Sequence, residues 1–301
     1  MAVTPLTLPD RFGAVTTACQ DHWMATTSMR EALAVGTRPV ELAGHNPAAR
    51  PLAPTKKNRD LRNDLAQMRG LQDRLYAEST ADGTRSILLV LQGIDTAGKG
   101  GVTEHVVGSF GPIGVQYTAF KAPTEEERAH DFLWRIRKRL PPAGVIGVFD
   151  RSHYEDVLIA RVHDLVPEDE WRARYDIIND FEAELVAGGT TILKCFLNIS
   201  FEAQRKRLLA RLDNPDKHWK FNEGDLEERA RWSDYQSAFS EMLERCNTDV
   251  APWYVVPSDH KKYRNWAIGE LLRETLVDLD PQYPQPKLDV AALKERLTPP
   301  H

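Results

Sequence analysis

The sequence predicts an α/β protein in which a five-stranded parallel sheet carries helices on both faces. Short, largely apolar runs alternate with helical periodicities between residues 87 and 276, the order of a doubly wound sheet. The runs are mostly continuous and not alternating, as strands buried on both faces must be. The first run feeds straight into a glycine-containing loop and then a helix, a junction suited to binding phosphate.

Residues 1–57 hold scattered prolines, Pro39, Pro47, Pro51 and Pro54, without sustained periodicity, and read as an irregular arm with room for one short helix. From Asn58 onward Leu61, Leu65, Met68, Leu71 and Leu75 recur at spacings of three and four, which marks an amphipathic helix ending near Ala77. This N-terminal helical extension should lay its stripe on the core. Strands are expected at 87–91, 115–120, 145–149, 191–197 and 253–256, and helices at 98–107, 125–139, 168–186, 201–212 and 261–276. After Leu212 the sequence Asp213-Asn214-Pro215-Asp216-Lys217 stops a helix, and Asp225 with Glu228 three residues on can cap another. Residues 200–246 thus read as a helical insertion that could form a hairpin standing over the strand ends. The main domain spans 58–288; the prolines at 281, 284 and 286 end its last helix, and 289–301 read as a tail.

A chain of 301 residues with 42% hydrophobic and 28% charged content can bury a full core. Cys19, Cys195 and Cys246 are odd in number and show no metal or redox spacing, and the first residues lack the pattern of an export signal. A cytoplasmic protein without membrane contact is expected. The net charge of -5 argues against a nucleic-acid partner. Yet six basic residues face three acids between Ser200 and Lys220, and a second basic cluster runs from Arg128 to Arg139, so a polyanion could lie in a local groove.

The chemistry concentrates in Gly93-Ile94-Asp95-Thr96-Ala97-Gly98-Lys99, a G-x-x-x-x-G-K loop set between strand and helix. Glycines let backbone N–H groups curl around phosphate oxygens, and Lys99 adds a point charge. Gly100 stands where nucleoside triphosphatases place a metal-holding Ser or Thr, so the metal needs other ligands. Asp95 would repel phosphate unless a divalent cation lay between them, and Asp150, at the end of the third strand, supplies a second carboxylate.

Together, Gly93 to Gly101 and Asp150-Arg151-Ser152-His153-Tyr154-Glu155-Asp156 resemble the paired signatures of the second polyphosphate kinase family, the polyphosphate:nucleotide phosphotransferases. Further matches are Leu71-Gln72-Asp73-Arg74-Leu75-Tyr76-Ala77-Glu78, Phe120-Lys121-Ala122-Pro123-Thr124 and Trp253-Tyr254-Val255-Val256-Pro257-Ser258-Asp259, so the resemblance covers about residues 56–288. It implies a three-layer α/β/α, P-loop kinase-like fold similar to thymidylate kinases, with the insertion at about 200–246 as a helical lid after the fourth strand, Mg2+ (with Mn2+ as an alternative), and a homodimer or homotetramer. Inorganic polyphosphate would be the donor, and adenine and guanine nucleotides the acceptors.

By the same resemblance Asp95 and Asp150 hold metal, and Lys99 with Arg151 acts on the phosphoryl group in transit. Gly93, Thr96, Ala97, Gly98, Gly100, Lys121, Arg207 and Arg211 bind phosphate or polyphosphate, and Glu155, Asp156 and Arg161 the nucleotide. The stretch from Ser152 to His163 resembles the branch that accepts both mono- and diphosphates, although that branch often has Asn at the position of Asp150.

Two rival readings remain. An ATP-dependent nucleotide kinase would share the fold and loop, but Gly100 and Asp95 speak against it; a non-catalytic polyanion binder would tolerate loss of Lys99. His153 and His163 read as packing or hydrogen-bonding residues. Trp134, Trp171, Trp232 and Trp266 read as core or helix-contact residues, whereas Trp219, set between Lys217 and Lys220, could stack on a base.

Overall fold

The computed structural model describes residues 28–36, 39–53, 61–285 and 287–298. Cys19 and the part of the arm before Ser28 lie outside the described residues. In chain order the elements are α1 (Met29–Leu33), α2 (Leu61–Ser79), β1 (Ser86–Gln92), α3 (Lys99–His105), β2 (Val115–Ala119), α4 (Glu125–Arg128), α5 (Trp134–Arg137), β3 (Ile146–Asp150), α6 (Glu155–Val162) and α7 (Glu168–Ala187). They continue with β4 (Thr190–Asn198), α8 (Phe201–Leu212), a 3-10 helix (Pro215–Lys220), α9 (Gly224–Ala230), α10 (Trp232–Arg245), β5 (Trp253–Pro257), α11 (Lys261–Leu279) and α12 (Val290–Leu297).

The strands form one parallel five-stranded sheet in the order β2-β3-β1-β4-β5. Every residue of β1 is buried, in keeping with the run of Ile, Leu and Val between its terminal Ser86 and Gln92. From β1 the chain first builds outward on one side, to β2 and β3, and then on the other, to β4 and β5. That reversal opens a crevice at the carboxyl end of β1, and the register pairs Leu91 with Asp150, so the end of β3 lies beside the loop that leaves β1. On α2, Met68, Leu71 and Leu75 are buried as the periodicity predicts. Among the described residues no helix is long and apolar enough to cross a membrane.

Several expectations need correction. The helix expected over 125–139 is two short helices, α4 and α5. The Asp131 carboxylate accepts from Leu133 N at 3.0 Å, and a side chain that captures backbone in this way competes with continuous helix. Asp225 does not cap a helix: α9 starts one residue earlier, and the carboxylate instead receives Arg211 Nη1 at 3.1 Å. Residues 290–297 of the expected tail are helical, capped by Asp289 accepting from Ala292 N.

A buried polar group sits inside the core close to the chain that leaves β3. Glu182 of α7 and Lys194 of β4, both fully buried, pair at 2.5 Å. Lys194 Nζ also donates to Tyr154 OH at 2.9 Å and to Cys246 O at 2.7 Å, while Tyr154 OH donates to Glu182 Oε1 at 2.7 Å. His153 Nε2 lies 3.2 Å from the same carboxylate oxygen, so this histidine packs and bonds as its sequence context suggested. Because only Ser152 separates His153 and Tyr154 from Asp150 and Arg151, the group anchors the chain leaving β3.

Candidate active site

The loop after β1 is held in its curl from outside. Gly93 (φ 147°) and Gly98 (φ 114°) occupy backbone conformations that favour glycine. At Gly98 a Cβ would also come within 1.7 Å of Arg264 Nη1. Arg207 Nη1 donates to Thr96 O at 2.8 Å and Ala97 O at 2.9 Å, and its Nη2 donates to Ser258 O and, at 3.1 Å, to Asp259 O. Arg264, 2% exposed, donates to Ala97 O at 3.1 Å, and Gln204 donates to Asp95 O at 3.1 Å. The outward carbonyls of residues 95–97 are thus met by side-chain donors. Lys99 is buried at the start of α3, and its Nζ donates to Gly93 O at 2.8 Å across the mouth of the loop.

Carboxylates gather on the other side. Arg151 Nη2 donates to Asp95 Oδ1 at 2.6 Å, and the charges of Glu155, Asp95 and Asp150 together raise the Arg151 guanidinium despite its burial. Burial pushes the Asp95 carboxyl up, but Lys99 and Arg151 outweigh it and hold the group below its usual range. Tyr117 OH donates to Asp150 Oδ2 at 3.2 Å, and burial together with that carboxylate pushes the phenol up to about 12. Gln92 Nε2 donates to Glu155 Oε1 at 3.0 Å.

Asp95 and Asp150 are hard oxygen donors that line the same cleft, and such a pair suits a divalent cation. Among the described residues no three His, Cys, Asp or Glu side chains are placed to hold a metal by themselves. A cation bound here would take its remaining ligands from water and phosphate, as Mg2+ commonly does.

Loop and acids open into a cleft of ≈ 1630 Å³. Asp95, Thr96, Gly98, Lys99, Gly100, Asp150 and Arg151 line it, as do Lys121 at the β2 end and Arg207 and Arg211 from α8. The 3-10 helix contributes Lys217 and Trp219, whose indole is 78% exposed, and the start of α11 contributes Lys261 and Arg264. These cations reinforce one another: burial first, then the charges of Arg207, Lys217, Arg264 and Arg211, lower the Lys261 ammonium. Burial and Arg207 bring the Arg264 guanidinium down to about 10. Lys261 and Arg264 escaped the sequence reading; the signal was the basic run that opens the helix after β5.

The structure does not bring every expected residue to the cleft. Arg161 pairs with Glu241 at 2.7 Å and lies over the Trp171 ring, in a separate cavity. Asp156 turns toward Arg135 and Arg174, at 3.5 Å and 3.6 Å. Burial keeps its carboxyl above the ordinary value despite both arginines. Neither residue is among those lining the cleft, and Glu155, Gly93 and Ala97 are not among them either.

Arg207 and Arg211, one turn apart on α8, are placed differently. Arg207 points at loop carbonyls, while Arg211 holds Asp225 and Lys220 O and can exchange those partners for phosphate. Arg207→Ala should therefore lower kcat and Tm together, whereas Arg211→Ala should raise KM for a polyanionic donor with Tm nearly unchanged; steady-state kinetics and thermal melts of the two variants separate the roles.

The glycine-containing loop, the acid pair and the cations of α8 and α11 meet in one cleft on this sheet, and comparison with known proteins shows the family. The family profile of Polyphosphate kinase 2 (PPK2) matches residues 53–284. The chain belongs to the polyphosphate kinase 2 family. An AMP/ADP-polyphosphate phosphotransferase of Meiothermus ruber is 48% identical over 217 residues, which cover 72% of this chain and 80% of that protein. An ADP-polyphosphate phosphotransferase of Rhodopseudomonas palustris is 42% identical over 237 residues, covering 75% and 81%. The crystal structure of Polyphosphate Kinase 2 from Arthrobacter aurescens TC1 superposes with a TM-score of 0.86 at 49% identity, covering 90% of this chain and 96% of that one. As a polyphosphate kinase 2, this protein is a phosphotransferase that moves phosphate between polyphosphate and nucleotides.

Proposed function

We propose that the protein transfers the terminal phosphate of inorganic polyphosphate directly to nucleoside mono- and diphosphates, turning AMP into ADP and ADP into ATP, in the cytoplasm and with Mg2+. The observation that carries this reading is the band of cations running from Lys99 along the lid to Lys261, which a long polyanion can follow. An acceptor phosphate oxygen attacks the terminal phosphorus, the bridging P–O bond breaks, and the donor leaves one unit shorter. Loop N–H groups and Lys99 neutralise the group in transit, and Arg151 holds Asp95 in place. Mg2+, held by Asp95 and Asp150, would supply charge neutralisation between donor and acceptor oxygens. Family membership also supports assembly into a homodimer or homotetramer, which light scattering of the full chain measures.

Purified protein given Mg2+ and ADP with either long-chain polyphosphate or GTP should make ATP from the polyphosphate; ATP from GTP alone would favour a nucleotide kinase. The acceptor pattern offers a second test. Asp150 places negative charge near an acceptor phosphate, so a monophosphate, with fewer oxygens to share with a cation, is disfavoured relative to a diphosphate. Asp150→Asn should raise the AMP-to-ADP ratio of kcat/KM several-fold. An unchanged ratio would remove Asp150 from acceptor choice.

A further inference from the structure

The arm ahead of the matched region is built into the site. After α1, whose first N–H groups donate to Glu274 of α11, Ala34 forms an antiparallel bridge with Tyr254 of β5. The chain then crosses the carboxyl ends of the outer strands: Asn198 Nδ2 donates to His45 O at 2.8 Å, Asp259 N to Pro47 O at 3.1 Å, and Tyr263 OH to Pro51 O at 3.0 Å. These bonds clamp the backbone on both sides of Arg50. The Arg50 side chain is exposed, lines the cleft, and puts Nη2 at 2.8 Å from the His260 ring, immediately before Lys261 and Lys262.

The sheet order fixes which end of the cleft this is. Asp150 ends β3, on one side of β1, whereas the arm lies over β4 and β5 on the other. β5 is three strand spacings from β3, about 14 Å. With the reacting acids over β1 and β3, the arm stands where the tail of a long donor passes, beyond the first phosphates held by the loop.

We propose that Arg50 is a phosphate-binding residue at the outer end of the polyphosphate track, carried there by the N-terminal arm, and that it grips long donor chains more than short ones. The assignment rests on the reading that this cleft holds polyphosphate. The arm's three anchors are the backbone carbonyls of His45, Pro47 and Pro51, which accept, so changing the Arg50 side chain leaves the clamp in place.

The test uses the full chain and Arg50→Ala, with Arg50→Lys as the charge-retaining control, and measures KM for long-chain polyphosphate and for tripolyphosphate at several salt concentrations. Arg50→Ala should raise KM for the long chain about two- to fivefold, the size of one exposed charge contact. It should raise KM for tripolyphosphate less, and reduce the salt slope for the long chain by about one. Arg50→Lys should restore most of the difference. Equal shifts for both donors, or none for either, would overturn the assignment while leaving the polyphosphate reading intact. Failure of the unmodified chain to use polyphosphate of any length would overturn both.

Discussion

Lys99→Ala should lower kcat by about 10²- to 10³-fold, the usual loss when a preorganised charge is removed from a reacting group. The side chain is buried at the mouth of the loop, and in the structure its ammonium is held on Gly93 O, from which it can pass to a phosphate oxygen. Its contribution should appear in the transition state more than in substrate affinity, so kcat should fall more than KM rises. Steady-state ATP formation from ADP and polyphosphate measures this, with circular dichroism to show that the fold is retained. A variant within threefold of the parent would mean that the loop N–H groups suffice without the lysine.

The largest expected loss of stability lies away from the cleft. Lys194→Met leaves the Glu182 carboxylate fully buried without its ammonium partner, at a cost of about 3–5 kcal/mol. Urea unfolding of Lys194→Met, and of the double variant with Glu182→Gln, should show the double variant recovering part of the loss, because it no longer buries an unpaired charge. A single-variant loss below about 1 kcal/mol would show that the site relaxes around the charge. Burial pushes the Glu182 carboxyl up, but Lys194 and His153 outweigh it and the group ends below its ordinary value. The stabilisation is therefore complete above the ordinary carboxylate range and is lost as pH falls through the lowered value. Glu182→Gln should flatten the acid side of the stability profile.

Four of the five strands were legible to within a residue or two because strands buried on both faces are mostly apolar along their length, whereas β2, Val115–Ala119, is an edge strand with no fully buried residue and was legible from its place in the alternating order. The helices that failed did so for local reasons. Residues 125–139 carry a helical pattern, but Asp131 captures backbone in the middle of it; α6, with 8 residues, is too short for periodicity to announce itself. The loop, Asp95 and Asp150 were legible because a strand end fixes where the next residue goes. Partners were not. Arg161 shares α6 with Glu155, yet six residues along a helix turn it about 240° away, toward Trp171 and Glu241. Arg264 depends on α11 meeting the loop across 167 residues of sequence, which no local pattern records.

The two arginines of α8 divide that helix mechanically. With Arg207 bonded to four carbonyls of the floor and Gln204 to a fifth, the first half of α8 travels with the phosphate loop as one rigid post. Arg211, one turn higher, is the latch: it fastens the post to the roof through Lys220 O and the Asp225 carboxylate. Arg229 fastens the same roof to the post a second time, donating to Phe201 O at 2.8 Å and to Gln204 Oε1 at 2.7 Å, so a single broken bond does not free residues 215–230 from α8.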